Sequence, residues 1–376
     1  MTFCLIPQQL PQMHQEEEVS MHKKLFIPGP VDVLPEVLEK MATPQIGHRS
    51  KDASALQERI SDNIRKLMYT KNTVVLSTSS GSGLMESAIR CCTKKGAAVF
   101  SVGAFGDRWY DMAMANGKTA DIFHSPDGEP TTPEMVDEAL KTGKYDVVTV
   151  THNETSSGIM NPVKEIGEVV RKYDDVLLLV DAVSSLAGAK IECDAWGIDF
   201  LITSTQKCVG LPAGMSFAAV SDRAYERAKT VEQRGFYFDI VSLVDRVKKD
   251  YQYPSTPSLA HMFALDYQLD RIINQEGLEN RFARHAEMAK YTQEWAEKHG
   301  FKLFAKEGYR SNTVTCICND ESFDFKAINT ELGKRGFQIS NGYGKNKGKT
   351  FRIAHMADHT MDDMKALFKE LDDILG

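Results

Sequence analysis

Residues 176–207 read VLLLVDAVSSLAGAKIECDAWGIDFLITSTQK: two short apolar runs joined by a polar, glycine-containing link. Val176–Val180 is continuously apolar and branched, which suits a strand covered on both faces, and it ends on Asp181. Phe200–Ser204 (FLITS) repeats the pattern and leads to Lys207, then to Gly210, Pro212 and Gly214. Further out, runs of the same kind occur at Val74–Ser77, Ala98–Val102, Asp146–Thr151 and Phe217–Ser221. Stretches with helical periodicity, such as Pro133–Thr142 and Val163–Tyr173, lie between them. Strand, helix, strand in succession predicts an α/β fold built on a mostly parallel, doubly wound sheet.

Beyond Pro257 the pattern changes. Leu259–Glu276 and Leu278–His299 read as long amphipathic helices, followed by strands at KLFA (302–305) and NTVTCIC (312–318). A helix near Phe325–Arg335, another strand and a last helix from Met361 complete the chain. The expected organisation is a large domain over 23–274 and a smaller C-terminal α+β domain over 275–376. Residues 1–22 read as an extension outside both. They carry the acidic run Glu16–Glu18 and lack the basic start and apolar stretch of a signal peptide.

Composition narrows the function classes. The 376 residues hold 45 Lys+Arg against 52 Asp+Glu, a net charge of −7, which argues against a nucleic-acid partner. At 42% apolar and 26% charged, the chain can build a large core. No apolar run approaches the roughly 20 residues needed to cross a bilayer. Cys4, Cys91, Cys92, Cys193, Cys208, Cys316 and Cys318 are an odd set without framework spacing, pointing to a reducing cytoplasm. Cys316 and Cys318 alternate within a predicted strand and lack the spacing of a metal or redox pair, so no metal is expected.

In open α/β sheets ligands gather at the carboxyl ends of strands, and four such ends here carry pointed chemistry. Thr78-Ser79-Ser80-Gly81-Ser82-Gly83 runs into a helix, where small residues and free N–H groups suit a phosphate; a plain flexible turn would read the same. Asp181 follows five apolar residues, so its charge calls for a cationic partner, although a helix N-cap also fits. Thr151-His152-Asn153-Glu154-Thr155-Ser156-Ser157-Gly158 is a hydroxyl-rich cluster or a capping loop. Lys207 closes a buried run, where desolvation disfavours the ammonium and frees an amine for Schiff-base chemistry. Phosphate cradle, carboxylate, hydroxyls and lysine together match the needs of pyridoxal 5′-phosphate: N–H donors for phosphate, a carboxylate for the pyridine nitrogen, an amine for the aldehyde. A nucleotide site would need neither Asp181 nor Lys207, and no G-x-x-x-x-G-K-[ST] occurs.

From about Leu25 onward the chain resembles the class V aminotransferases of fold type I, the group of alanine–glyoxylate, serine–pyruvate and serine–glyoxylate aminotransferases. The ordered motifs are IPGPVDVLPEV, GHRSKD, SSGSGLMESAI, VGAFGDRW, THNETSSGIMNP, VDAVSSLAG, STQK and FRIAHM. The resemblance implies that Lys207 condenses with the cofactor aldehyde and that Asp181 pairs with the pyridine nitrogen. Ser82, Gly83, the backbone of Leu84 and Gln206 would lie along the phosphate. Ser156 would reach toward the phenolic oxygen, and Phe105 and Val183 would flank the ring. Arg352 would clamp the substrate α-carboxylate, with Gly29 also bordering the substrate, a fork geometry that lysine does not reproduce. Tyr253, Ser255 and Thr256 resemble a segment that reaches the phosphate of a neighbouring subunit, which implies a homodimer with composite sites. His48, Arg49 and His355 fall in motifs near the substrate pocket.

The implied reaction is a ping-pong transamination from a small amino acid, alanine or serine, to a 2-oxo acid such as glyoxylate or pyruvate. A 2-aminoethylphosphonate–pyruvate transaminase shares the scaffold. A cysteine desulfurase would need a mobile thiol, and a catalytically silent cofactor-binding protein would need none of the proton chemistry. A dicarboxylic substrate would need a second cation, for which Arg49, Arg310 and Arg335 are the candidates.

Overall fold

A computed structural model describes residues 22–319 and 323–376, so most of the expected extension, including Cys4 and Glu16–Glu18, lies outside the described residues. The described residues form thirteen strands: β1 (Lys24–Phe26), β2 (Thr73–Ser77), β3 (Ala97–Ser101), β4 (Ala120–His124), β5 (Val147–Thr151), β6 (Asn153–Glu154), β7 (Ile159–Met160), β8 (Leu177–Asp181), β9 (Phe200–Ser204), β10 (Ser216–Val220), β11 (Val314–Cys318), β12 (Phe337–Asn341) and β13 (Thr350–Ala354). Seven form the large sheet in the order β2-β10-β9-β8-β5-β3-β4, in which only β10 runs antiparallel to its neighbours.

The unbroken apolar runs have the reason expected of them. Val74 and Leu76 face one core with Phe100, Val150 and Val180, while Val75 faces another with Val99, Leu179 and Ile202. Both faces of the sheet are therefore covered, and its strand ends are where the sheet can present polar groups to a cavity. The edge strand β4 is the exception, with only half-buried and exposed residues.

The second sheet has the order β1-β12-β13-β11, and β1 pairs in parallel with β12. The first described strand thus belongs to the small sheet, and Phe26 shares a core with Trp295, Phe351 and Phe368. From there Pro28–Pro30 carries the chain into the large unit.

Two expectations require correction. Leu259–Glu276 is not one α-helix: it is α-helical over Leu259–Asp270 and then widens into a π turn over Arg271–Glu276, ended by Gly277 at φ +83°. KLFA forms no strand; Leu303 makes a single bridge to Ile317. No helix among the described residues is long and apolar enough to cross a membrane.

Candidate active site

A cavity of about 150 Å³ opens at the carboxyl ends of the large sheet. The turn after β2 contributes Ser80, Gly81 and Ser82, and the helix Ala104–Ala115 after β3 contributes Phe105 and Arg108. Thr155 comes from the β6–β7 hairpin, Asp181, Val183 and Ser184 from the end of β8, and Ser204, Gln206 and Lys207 from the end of β9. Residues spread over more than 120 positions converge because parallel strands present all their ends on one side.

Lys207 is 9% exposed, and its Nζ donates to the carbonyl of Pro28. Burial, helped by the charge of Arg352, pushes the amine down to about 8. The neutral amine is therefore far more accessible near neutral pH than that of an ordinary lysine. Gly29 sits on this side chain: a Cβ there would fall 2.7 Å from Nζ and 2.6 Å from Cδ. Gly29 therefore bears on the lysine itself rather than on the cavity wall.

Asp181 is buried, and its Oδ1 accepts the N–H of Val183 at 2.8 Å. Burial pushes the carboxyl up to about 6, and the neighbouring Glu154 charge adds to this, against the pull of Arg108 and Lys207. Glu154 is wholly buried and raised by burial too, although four donors oppose the shift. The N–H groups of Phe105 and Gly106 donate to its Oε2 at 3.0 Å, and the N–H and hydroxyl of Ser156 to its Oε1 at 2.9 and 2.7 Å. Glu154 thereby fixes the start of the helix that presents Phe105. The Phe105 ring is stacked with Tyr343 at 5.5 Å and lies under the Arg108 guanidinium at 4.7 Å.

Several expected positions differ. Ser156 does not line the cavity: its hydroxyl donates to Glu154 and accepts the Ala104 N–H, and Thr155 is the hydroxyl residue at the wall. Gly83 and Leu84 are not cavity-lining residues: the Gly83 N–H closes on Ser80 O at 3.0 Å in the first turn of the helix Gly81–Cys92, and Leu84 turns its side chain into the core, which leaves its backbone N–H as the only group it could offer. The unpaired N–H groups of this helix belong to its first residues, Gly81 and Ser82. His355 is a satisfied core histidine, bonded to Thr315 Oγ1 and Asn312 O and pushed by burial down to about 3. His48 lies outside the cavity, and so do Ser255 and Thr256.

Arg352 is not itself among the cavity-lining residues, but it bonds the backbone of Thr155, which is. Its Nη1 donates to Thr155 O at 3.2 Å, Nε to Asn341 O at 2.9 Å and Nη2 to Ser340 Oγ at 2.9 Å. Two of its five N–H groups remain, and among the described residues no carboxylate pairs with it.

The family Aminotransferase class-V matches residues 33–367. The chain belongs to the class-V aminotransferases. It is 41% identical to an uncharacterized aminotransferase of Methanocaldococcus jannaschii, over 90% of this chain and 88% of the relative. It is 31% identical to a serine–glyoxylate aminotransferase of Arabidopsis thaliana, over 89% and 85% of the two chains. Among solved structures, an alanine–glyoxylate aminotransferase of Nostoc sp. superposes with a TM-score of 0.89 at 29% identity, covering 100% of this chain and 98% of the other. The fold is accordingly fold type I.

Class-V aminotransferases are pyridoxal 5′-phosphate dependent, and the residues present fit that group. Ser204 Oγ and Gln206 Oε1, both on the cavity wall, are buried without a hydrogen-bond partner among the described residues. Such atoms are costly unless something polar occupies the space beside them. Gly81 leaves the cavity open, since a Cβ there would strike Val183 Cγ2 at 2.5 Å and approach Ser204 Oγ at 3.4 Å. Arg108 faces the same end and donates to Ser82 Oγ at 3.1 Å.

Ser204, Arg108, Thr155 and Glu154 complete the site beyond the residues that the sequence motifs name one by one. Ser204 closes a buried run three residues before Lys207, and Arg108 lies one helical turn after Phe105. Both spacings were available as signals.

Proposed function

We propose that this class-V aminotransferase moves an amino group from a small amino acid of alanine or serine type to a 2-oxo acid such as glyoxylate or pyruvate, in two half-reactions, within the cytoplasm. The observation that carries the reading is the desolvated Lys207 amine sharing one cavity with the raised Asp181 carboxyl. Bound pyridoxal 5′-phosphate would supply an aldehyde that carries the amino group and a ring that stores the electron pair released at the substrate Cα.

This chain's residues do the rest. Ser82, the first N–H groups of its helix, Ser204 and Gln206 would bind the phosphate, and Phe105 and Val183 would confine the ring. Asp181 would hold a proton at the ring nitrogen, and that cation would offset the desolvation that now raises the carboxyl. Lys207 Nζ would take the proton from Cα, which its lowered basicity allows near neutral pH. Arg352 would offer its two remaining N–H groups to the α-carboxylate.

A small, singly charged donor is favoured by the fate of the other arginines. Arg310 pairs with Glu297 at 2.9 Å, Arg335 with Glu370 at 2.9 Å, and Arg49 donates to the backbone of Tyr253–Ser255. None of the three lines the cavity or bonds a residue that does, whereas Arg352, itself outside the lining, bonds the wall residue Thr155. The desulfurase alternative lacks support, because Cys208 and Cys316 are buried and pushed up to about 11 and 12. The cytoplasmic assignment is supported by the six described cysteines, all of which are free thiols.

A homodimer is part of the reading. Ser255 and Thr256, which resemble the segment that reaches a neighbouring subunit's phosphate, lie outside this chain's own cavity. Sedimentation giving a monomer at micromolar concentration would remove that part.

The reading is tested with a spectral screen of the cofactor-loaded protein. Alanine or serine should convert the lysine-linked absorbance to that of the amine form, and aminoethylphosphonate should not. In the Arg352→Ala protein the donor KM should rise by about 10- to 100-fold, as expected for a lost charge-assisted pair. An unchanged KM would exclude Arg352 as the carboxylate grip.

A further inference from the structure

The backbone just after Lys207 is tied down carbonyl by carbonyl. The Gly210 N–H donates to Lys207 O at 2.9 Å, Arg281 Nη2 donates to Cys208 O at 2.7 Å, and Gln268 Nε2 donates to Val209 O at 2.9 Å. Asp358 joins the two side chains: its Oδ1 accepts from Arg281 Nη1 at 3.1 Å and its Oδ2 from Gln268 Nε2 at 2.9 Å. There is no slack, since a Cβ on Gly210 would fall 2.9 Å from Asp358 Oδ2 and 3.0 Å from Gln268 Nε2.

Arg281 is 1% exposed and also donates to Ala187 O at 3.1 Å and to Glu276 Oε2 at 2.7 Å. Ala187 and Ala357, flanking this cluster, hold φ of +71° and +57°. Non-glycine residues keep such backbone only where their surroundings enforce it. Asp358 lies four residues past the end of β13, the strand that carries Arg352. One short stretch of chain therefore has the carboxylate grip at one end and the anchor of the lysine loop at the other. A buried ion pair is weak evidence for stability, because apolar replacements are often as stable. What this pair does is fix where the donors of one unit meet the carbonyls of the other.

We propose that Arg281 and Asp358 are positioning residues for transamination, forming a strut that sets the Lys207 amine relative to Arg352. The proposal rests on the reading of Lys207 as the cofactor-linked amine. Displacement of a reacting group by about 1 Å costs on the order of 100-fold in rate, so small slackening of the loop should be visible.

The test uses Arg281→Lys and Asp358→Asn in the full-length protein. A lysine keeps the charge but cannot hold Ala187, Cys208 and Asp358 with one fork, and the asparagine keeps the shape. Expected are folded variants whose kcat falls about 10- to 100-fold while the donor KM moves less than twofold. The pH midpoint of the lysine-linked absorbance should shift. In cofactor-free protein, amide exchange at 208–210 should accelerate while the amides of β2 and β3 stay as in wild type. If Arg281→Lys does not fold, Asp358→Asn carries the test alone. Wild-type kcat and pH midpoint in a folded variant would overturn the proposal, with or without faster exchange. Failure of the underlying reading would show elsewhere, as retained absorbance in a protein lacking Lys207.

Discussion

In the Lys207→Ala protein, turnover of any amino acid and oxo acid pair is expected to fall by about three orders of magnitude or more, with the lysine-linked absorbance gone. The loss combines the covalent attachment point with the proton carrier, and proton transfer by a placed side chain alone contributes about 10²- to 10⁴-fold. Turnover within tenfold of wild type would exclude the amine from the reaction. Stability offers an independent check. The folded amine titrates near 8 against an ordinary lysine value of 10.5, so between those values the unfolded chain binds more protons. Wild-type stability should therefore rise with pH across that window, the burial penalty being fully present below it. Unfolding curves of the cofactor-free variant should lack that rise.

Asp181→Asn is expected to retain the cofactor and to lose about 10²- to 10³-fold in kcat, the range for removing one preorganised electrostatic partner. Asparagine still accepts the Val183 N–H through its carbonyl, so the local turn should persist. What disappears is the charge that would keep a proton on the ring nitrogen. The sign of the stability effect is opposite to that of the rate. Asp181 titrates near 6 in the folded chain against 3.8, so its carboxylate is disfavoured at neutral pH, and stability tied to it is lost as pH rises through that value. Cofactor-free Asp181→Asn should unfold at pH 7 no more easily than wild type. Near wild-type kcat in this variant would refute the role.

Much of this was legible in the chain because buried parallel strands leave so few places for polar residues. Asp181 and Lys207 stood out as charges directly after apolar runs, and both line the cavity. Ser82, Phe105, Val183 and Gln206 came through the motifs and line it too. Ser156 and Gly83 did not follow, for a reason local sequence does not carry. Which of two adjacent hydroxyls faces the cavity depends on Glu154, whose four donors come from two separate segments. Likewise a helix start shows its free N–H groups only once its first residue is fixed, here Gly81. The π turn at Arg271–Glu276 was hidden because its composition is ordinary helix, while its geometry accompanies ion pairs from Glu276 to Arg281 and Arg284.

The pairing of β1 with β12 bears on how the protein is cut into fragments. Excising residues 275–376 would leave the small sheet without its outer strand and bare the edge of β12, an invitation to self-association. The same cut would strip Phe26 of the rings around it while leaving it attached to the larger piece. A clean dissection would have to graft Lys24–Phe26 onto the C-terminal fragment, and doing so severs the chain just ahead of the carbonyl that accepts from Lys207.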